Sequence, residues 1–320
     1  MSVGSEGGVV RVVARAPAKV NVQLSVGRRE DDGYHPLATV FQAVSLWETV
    51  IAEPREDGDV TVSVELQPTV TCDPGSIPLD ESNLAVRAAR AVAERFGIER
   101  GVDLTILKAI PVAGGMAGGS ADAAAALVAC AEAWETGATR AELDALAAPL
   151  GSDVPFALHG HTAVGQGRGD LLTPAMTRGE FHWVIATQDA GLSTAEVYAA
   201  YDASIAEGRR LPREPIIDEV LMAALRAGDA TALGPCLSND LEEAALGLAP
   251  HLRATLEAAL DAGALAAIVS GSGPSIAALA RSAQHALVVA AGIIASGTSG
   301  PVVTATGPAG GTAVVDILRS

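Results

Sequence analysis

The chain has 320 residues, of which 49% are hydrophobic, 18% charged and only 3% aromatic, and its formal net charge is −17. That length favours two domains over one core. The acidic balance excludes nucleic acid or an anionic membrane as the main partner, because both require a basic surface, so any anionic ligand must be held by a local site.

Cys72, Cys130 and Cys236 are odd in number, far apart and without metal-ligand spacing, so they read as buried small apolar residues of a reducing compartment. Residues 1–8 carry no basic stretch followed by an apolar core, and the late apolar run 286–295 is too short to span a bilayer, which gives a soluble cytoplasmic protein as the expectation. Only Lys19 and Lys108 among the 21 basic residues are lysines. A chain that uses arginine almost everywhere has reason to keep lysine where a compact ammonium is needed.

Residues 9–16 and 20–27 read as strands, the second alternating Val20, Val22, Leu24 and Val26 with Asn21, Gln23 and Ser25. Lys19 falls at their junction after Pro17, with Asn21 on the same face two residues on; a solvated strand-end lysine is the ordinary reading of that position, and the rarity of lysine in this chain narrows its margin over a site lysine. The polar turn 28–36 ends in Tyr34 and His35 and leads into an apolar strand, 37–46, containing Phe41. In a chain so poor in aromatics these three are a local concentration suited to stacking on a base and to hydrogen-bonding its edge or a phosphate. A hairpin and a core strand account for Phe41 well and for His35 poorly. Strands follow at 47–53 and 60–66, Ser82-Asn83 caps a helix running to about 96, and 102–108 alternate again.

Residues 111–126 then cross a glycine-rich loop and enter an alanine-rich helix. Glycines let backbone N–H groups approach an anion closely, while the following helix points its unpaired N–H groups and positive dipole end at the same spot. Ser120 is expected to cap that helix and to offer a hydroxyl. Neither the lysine-bearing P-loop spacing nor the dinucleotide fingerprint is present, and a plain turn into a buried helix is the alternative. Helices are predicted to about 136 and over 140–148. In 150–156, Gly151 breaks the chain and Pro155 suits a first helical turn, which on local evidence makes Asp153 an N-cap.

Beyond about 162 come a glycine-rich crossing, a strand at 181–187, a helix from Ser193-Thr194 and helices near 216–227, 239–248 and 250–262. Strands 265–270 and 275–280, helix 282–296 and strand 301–306 complete an order that suits a ferredoxin-like split βαβ unit. Locally the Ser270-Gly-Ser-Gly turn between them reads as a hairpin. The chain is therefore expected to be α+β, with domains at 1–162 and 163–320.

Three separated stretches, 16–22, 111–125 and 270–275, resemble in the same order the motifs of the galactokinase, homoserine kinase, mevalonate kinase and phosphomevalonate kinase (GHMP) superfamily. The resemblance implies an N-terminal ATP-binding domain with a ribosomal-protein-S5-like fold and a C-terminal ferredoxin-like domain. Within the superfamily, Lys19-x-Asn21, the run Asp32-Gly-Tyr-His35 and the stretch 151–155 resemble the branch that phosphorylates the tertiary 2-hydroxyl of a cytidylated methylerythritol in the non-mevalonate isoprenoid route. Another small-molecule kinase, acting on mevalonate or homoserine, and a non-catalytic nucleotide binder are the alternatives. The branch implies ATP and Mg²⁺ as cofactors, no nucleic-acid or membrane partner, and a monomer or homodimer.

Carried over by resemblance, Asp153 is the catalytic carboxylate, Lys19 its cationic partner, and Asn21 a contact to the sugar alcohol. Tyr34, His35 and Phe41 grip the cytidine, with Thr194 and Tyr198 as a second wall. Pro111, Val112, Ala113, Gly114, Gly115, Met116, Ala117, Gly118, Gly119, Ser120 and Ala121 wrap the ATP phosphates, with Ser120 near Mg²⁺ and with Asn83 and Lys108 toward the nucleotide. Ser270, Gly271, Ser272 and Gly273 form the third motif. The sequence departs from the family pattern at Ala117, where glycine is more frequent, and at Met116, where leucine is usual. If residue 117 requires positive φ, alanine costs about 1 kcal/mol there.

Overall fold

The computed structural model describes residues 10–319. Val10–Val26 forms one strand, β1, where the sequence suggests two, and Leu37–Arg55 likewise runs through as β2. The interruptions are absorbed as register shifts between β1 and β2 at Pro17/Ala18 and at Asn21/Gln23. A bulge of this kind accommodates a proline that cannot donate to the ladder and re-aims the side chains beside it. Lys19 and Asn21 lie between the two shifts, inside a strand and not at its end.

β3 (Val60–Leu66), α1 (Leu84–Phe96) and β4 (Gly101–Lys108) follow, then α2 (Gly118–Ala133), α3 (Arg140–Ala147), α4 (Val154–His159), β5 (Thr162–Gln166) and β6 (Leu171–Pro174). The later part contains β7 (Phe181–Ala186), α5 (Thr194–Ala206), α6 (Glu219–Ala227), α7 (Ala230–Leu233), β8 (Ser238–Asn239), α8 (Glu242–Leu248) and α9 (Leu252–Asp261). It closes with β9 (Ala266–Val269), β10 (Ile276–Ala280), α10 (Ala283–Ser296), β11 (Val302–Gly307) and β12 (Ala313–Arg319).

The first sheet has the order β12-β1-β2-β4-β3, with β5 joined to β2, β6 to β5, and β8 to β1. The second has the order β11-β7-β10-β9 with antiparallel neighbours throughout. Its β-α-β-β-α-β sequence, with α5 to α9 filling the first crossover, is the ferredoxin-like arrangement. The boundary expected at 162/163 does not coincide with the change of sheet: β5 and β6 extend the first sheet through β2, and β12 returns to pair with β1 over residues 10–15.

α2 explains the alanine-rich stretch. Twelve of its residues are buried between α1 and strands β1 and β2, and a helix surrounded on all sides must be apolar all round. Its small side chains let it run close to the sheet. The two sheets are joined by the buried Trp183 indole, which donates to Gln42 Oε1 at 2.8 Å.

Candidate active site

β1 brings Lys19 and Asn21, 6% and 2% exposed, to the floor of a cavity of about 1290 Å³ between the glycine loop and the second sheet's turn. The Lys19 ammonium donates to Asn21 Oδ1. The Asn21 amide is oriented in turn by donating to Thr39 Oγ1 at 2.8 Å, and Thr39 donates to the Gln23 carbonyl at 2.7 Å. Burial pulls the Lys19 ammonium below the ordinary lysine value, while the negative Asp153 carboxylate opposes that fall.

Asp153 occupies the N-cap position of α4 but makes no capping bond; its backbone is already near-helical, at φ −89° and ψ −9°. The local expectation of a cap is therefore corrected: a backbone in that conformation does not aim the carboxylate at the first-turn N–H groups, and the side chain lines the cavity instead.

The glycine loop also differs from its local reading. α2 begins at Gly118, and its N-cap is Ala117, at φ 61° and ψ 35°, which offers no side-chain bond. Ser120 thus lies inside the first turn and does not cap it. Gly118 and Gly119 line the cavity, so the uncapped end of the helix meets it directly. Ala113 shares the left-handed region with Ala117, at φ 50°.

The loop is fastened to both other motifs. The Lys19 N–H donates to the Met116 carbonyl at 3.3 Å, and Ser270 Oγ donates to the Gly115 carbonyl at 3.2 Å. A Cβ on Gly115 would lie 1.9 Å from the Ser270 carbonyl oxygen, and one on Gly271 would lie 3.1 Å from Lys19 Nζ. The three motifs therefore meet at contact distance, and the turn 270–273 is more than a hairpin.

At the far end, His35 is buried with Nε2 2.8 Å from Asp202 Oδ1, and its ring centroid lies 4.9 Å from that of Tyr198. Tyr34 is exposed, and the Arg168 guanidinium stacks 3.5 Å from its ring centroid while bonding Asp32 at 2.9 Å. Thr194 Oγ1 and Ser272 Oγ are 2.9 Å apart. Phe41 is buried, with its ring centroid 5.0 Å from Phe156 and 5.6 Å from Lys19 Nζ, so it reaches the cavity beneath the lysine.

Several expected site residues stand behind the cavity wall. Asn83 spends its side chain capping α1, accepting from Ala85 N–H at 2.9 Å and donating to the Pro78 carbonyl at 2.7 Å. Met116 and Ala121 are fully buried. Val112, Ser120 and Ser270 do not line the cavity, and Lys108 is held in an interior ion cluster. Sequence reasoning missed Asn239, which donates to the Val269 and Gly271 carbonyls at 2.8 and 2.7 Å and so sets the third motif, and Asp202, the partner of His35. Neither sits in a recognisable local pattern.

Among the described residues no group of three or more His, Cys, Asp or Glu is arranged to hold a metal. The uncommitted Asp153 carboxylate is a hard oxygen at the cavity, and it fits Mg²⁺, which keeps most of its ligands from water and phosphate oxygens.

The fold, the helix end open to an anion and the lysine–aspartate pair define an ATP-dependent small-molecule kinase, and the chain belongs to the GHMP kinase family: the family's N-terminal domain model matches residues 83–161 and its C-terminal model residues 221–298. It is 53% identical over 307 residues to the 4-diphosphocytidyl-2-C-methyl-D-erythritol kinase of Thermobifida fusca, covering 95% of this chain and 98% of that one. To the enzyme of the same name from Streptomyces coelicolor it is 52% identical over 308 residues, covering 95% and 99%. A crystal structure of 4-(cytidine 5′-diphospho)-2C-methyl-D-erythritol kinase superposes with a TM-score of 0.74 at 31% identity, covering 93% of this chain and all of that one. Within the GHMP kinases, the chain stands with the 4-diphosphocytidyl-2-C-methyl-D-erythritol kinases.

Proposed function

We propose that the protein transfers the γ-phosphoryl group of ATP to the tertiary 2-hydroxyl of 4-diphosphocytidyl-2-C-methyl-D-erythritol, giving the 2-phosphate and ADP for isoprenoid precursor synthesis. One observation carries the reading: a single cavity joins the open N-terminus of α2, the Lys19–Asp153 pair, and a wall of Tyr34, His35 and Tyr198. The first suits triphosphate, the second a phosphoryl transfer, and the third a nucleotide-bearing acceptor, which mevalonate and homoserine are not.

A tertiary alcohol is too weak an acid for a carboxylate to deprotonate beforehand. Asp153 therefore orients the hydroxyl and takes its proton late, as the new P–O bond forms and the bond from the γ-phosphorus to the ADP oxygen breaks. Lys19 interacts electrostatically with the Asp153 carboxylate and offsets negative charge on the transferring group. Asn21, whose amide orientation is fixed through Thr39, holds the Lys19 ammonium in place. Mg²⁺, when bound with ATP, neutralises phosphate charge, with Asp153 as the protein oxygen available to it.

Of the three free thiols only Cys130 is buried as expected, Cys72 and Cys236 being half-buried, and together they support a reducing, cytoplasmic setting. Among the described residues no helix is long and apolar enough to cross a membrane. The test is a coupled ADP-release assay with Mg-ATP that compares the cytidylated alcohol with mevalonate and homoserine. Turnover on the cytidylated alcohol alone is expected; turnover on another acceptor would move the assignment within the family.

A further inference from the structure

Three charged side chains meet behind the glycine loop and take no part in the chemistry above. Glu48 lies on β2, Lys108 ends β4, and Asp122 is in the second turn of α2; they are 0%, 3% and 6% exposed. Lys108 Nζ is 2.9 Å from Glu48 Oε1 and 2.6 Å from Asp122 Oδ2. The two Glu48 oxygens also accept the backbone N–H groups of Ala109 at 3.0 Å and Ile110 at 3.1 Å, where the chain leaves β4 for the loop. A Cβ on Gly118 would lie 3.2 Å from Lys108 Nζ, so the cluster sits against the first residue of the helix that closes the loop.

Burying three charged groups is a poor way to gain stability, since desolvation rivals the Coulomb attraction. Burial pushes the Glu48 carboxyl up to about 8 and raises that of Asp122, whose Oδ1 is buried without a partner. Geometry gives the cluster a different use: Glu48 grips the entry of the loop, Asp122 belongs to its exit, and the Lys108 ammonium ties the two together.

We propose that Glu48, Lys108 and Asp122 are positioning residues that fix the span of the phosphate loop, so that the first-turn N–H groups of α2 converge on the ATP phosphates, and that Lys108 acts through the loop without touching ATP. The inference rests on the cavity being the ATP site. Its consequence is specific. Glu48 and Asp122 do not line the cavity, yet replacing either one by its carboxamide loosens nucleotide binding.

The experiment measures dissociation constants by calorimetry for Mg-ATP, for inorganic triphosphate and for the cytidylated acceptor, with melting temperature alongside, in Glu48→Gln, Asp122→Asn, Lys108→Met and Lys108→Arg. Both carboxamide variants are expected to weaken Mg-ATP and triphosphate alike by tenfold or more, leave the acceptor within twofold, and outdo Lys108→Arg. A loss confined to the Lys108 variants would make Lys108 a direct ligand and overturn the proposal. So would melting temperatures that fall while both phosphate affinities stay within twofold. Should Lys108→Met fail to fold, the two near-isosteric carboxamide variants decide alone. Wild-type turnover on the cytidylated alcohol tests the assigned reaction separately, because the calorimetry needs no turnover; a wild type that binds neither Mg-ATP nor triphosphate overturns both.

Discussion

The protein's two lysines are both buried, and their surroundings are opposite. Lys19 faces a cavity, shares its proton with a neutral amide and has one carboxylate acting on it from Asp153, so burial wins and its proton is held loosely. Lys108 does not line that cavity; burial pulls its proton affinity down, but Asp122 and Glu48 outweigh burial and hold it above the ordinary lysine value. The same side chain thus serves as a responsive charge in one place and a fixed tie in the other. Partner count and solvent access decide between them.

The largest effect should come from breaking the responsive centre. Asp153→Ala is expected to lower kcat by about 10²–10⁴-fold, measured by ADP release. Next is the tie: Lys108→Met leaves two buried carboxyl groups facing each other and should cost about 3–5 kcal/mol of stability, read from urea unfolding.

A pH series sharpens the contrast further. Folded Glu48 keeps its proton up to about 8, whereas the unfolded chain releases it near the ordinary 4.5, so the folded state binds more protons between these values and stability should fall as pH rises through that window. The groups facing Glu48 are Lys108 and Asp122, and Asp122 is shifted in the same direction. Glu48→Gln should flatten the slope in urea titrations run at successive pH values. At Lys19 the expected signature is kinetic: kcat falls on the alkaline side before an ordinary lysine would titrate.

The smallest expected effect is at the loop itself. Ala117→Gly relieves a left-handed alanine but loosens the unfolded chain, for a net gain of about 0.5 kcal/mol. Thermal unfolding should detect it, and a loss of stability would show that φ 61° costs nothing at this site.

Much of this architecture was legible in the sequence where the signal is local. The ferredoxin-like order follows from alternating periodicities, the helix starts at Asn83 and Ser193 from their caps, and the loop that opens onto the cavity from glycines before an alanine run. Residues that depend on distant partners were not legible. Nothing around Glu48 marks it as the acceptor for two N–H groups sixty residues away, and Asp122 looks like a stray acid in an alanine helix. Lys108 is the instructive case. Its rarity and its place beside the loop point to the site, but only the fold shows which side of the loop it serves. Asp153 went the other way, because a sequence that suits an N-cap cannot reveal that the backbone conformation leaves its carboxylate free.

The return of β12 to β1 has a consequence for how the molecule is made. The strand that carries Lys19 is among the first described segments to leave the ribosome, yet its edge partner over residues 10–15 is the last. At about 5–20 residues per second, the roughly 300 intervening residues take on the order of 15–60 s, and because β11 of the second sheet immediately precedes β12, both sheets are completed together at the end of that interval. The nascent chain therefore holds the strand that carries Lys19 on a sheet with one open edge until β12 has emerged, and that exposed edge is where a chaperone would have most to protect.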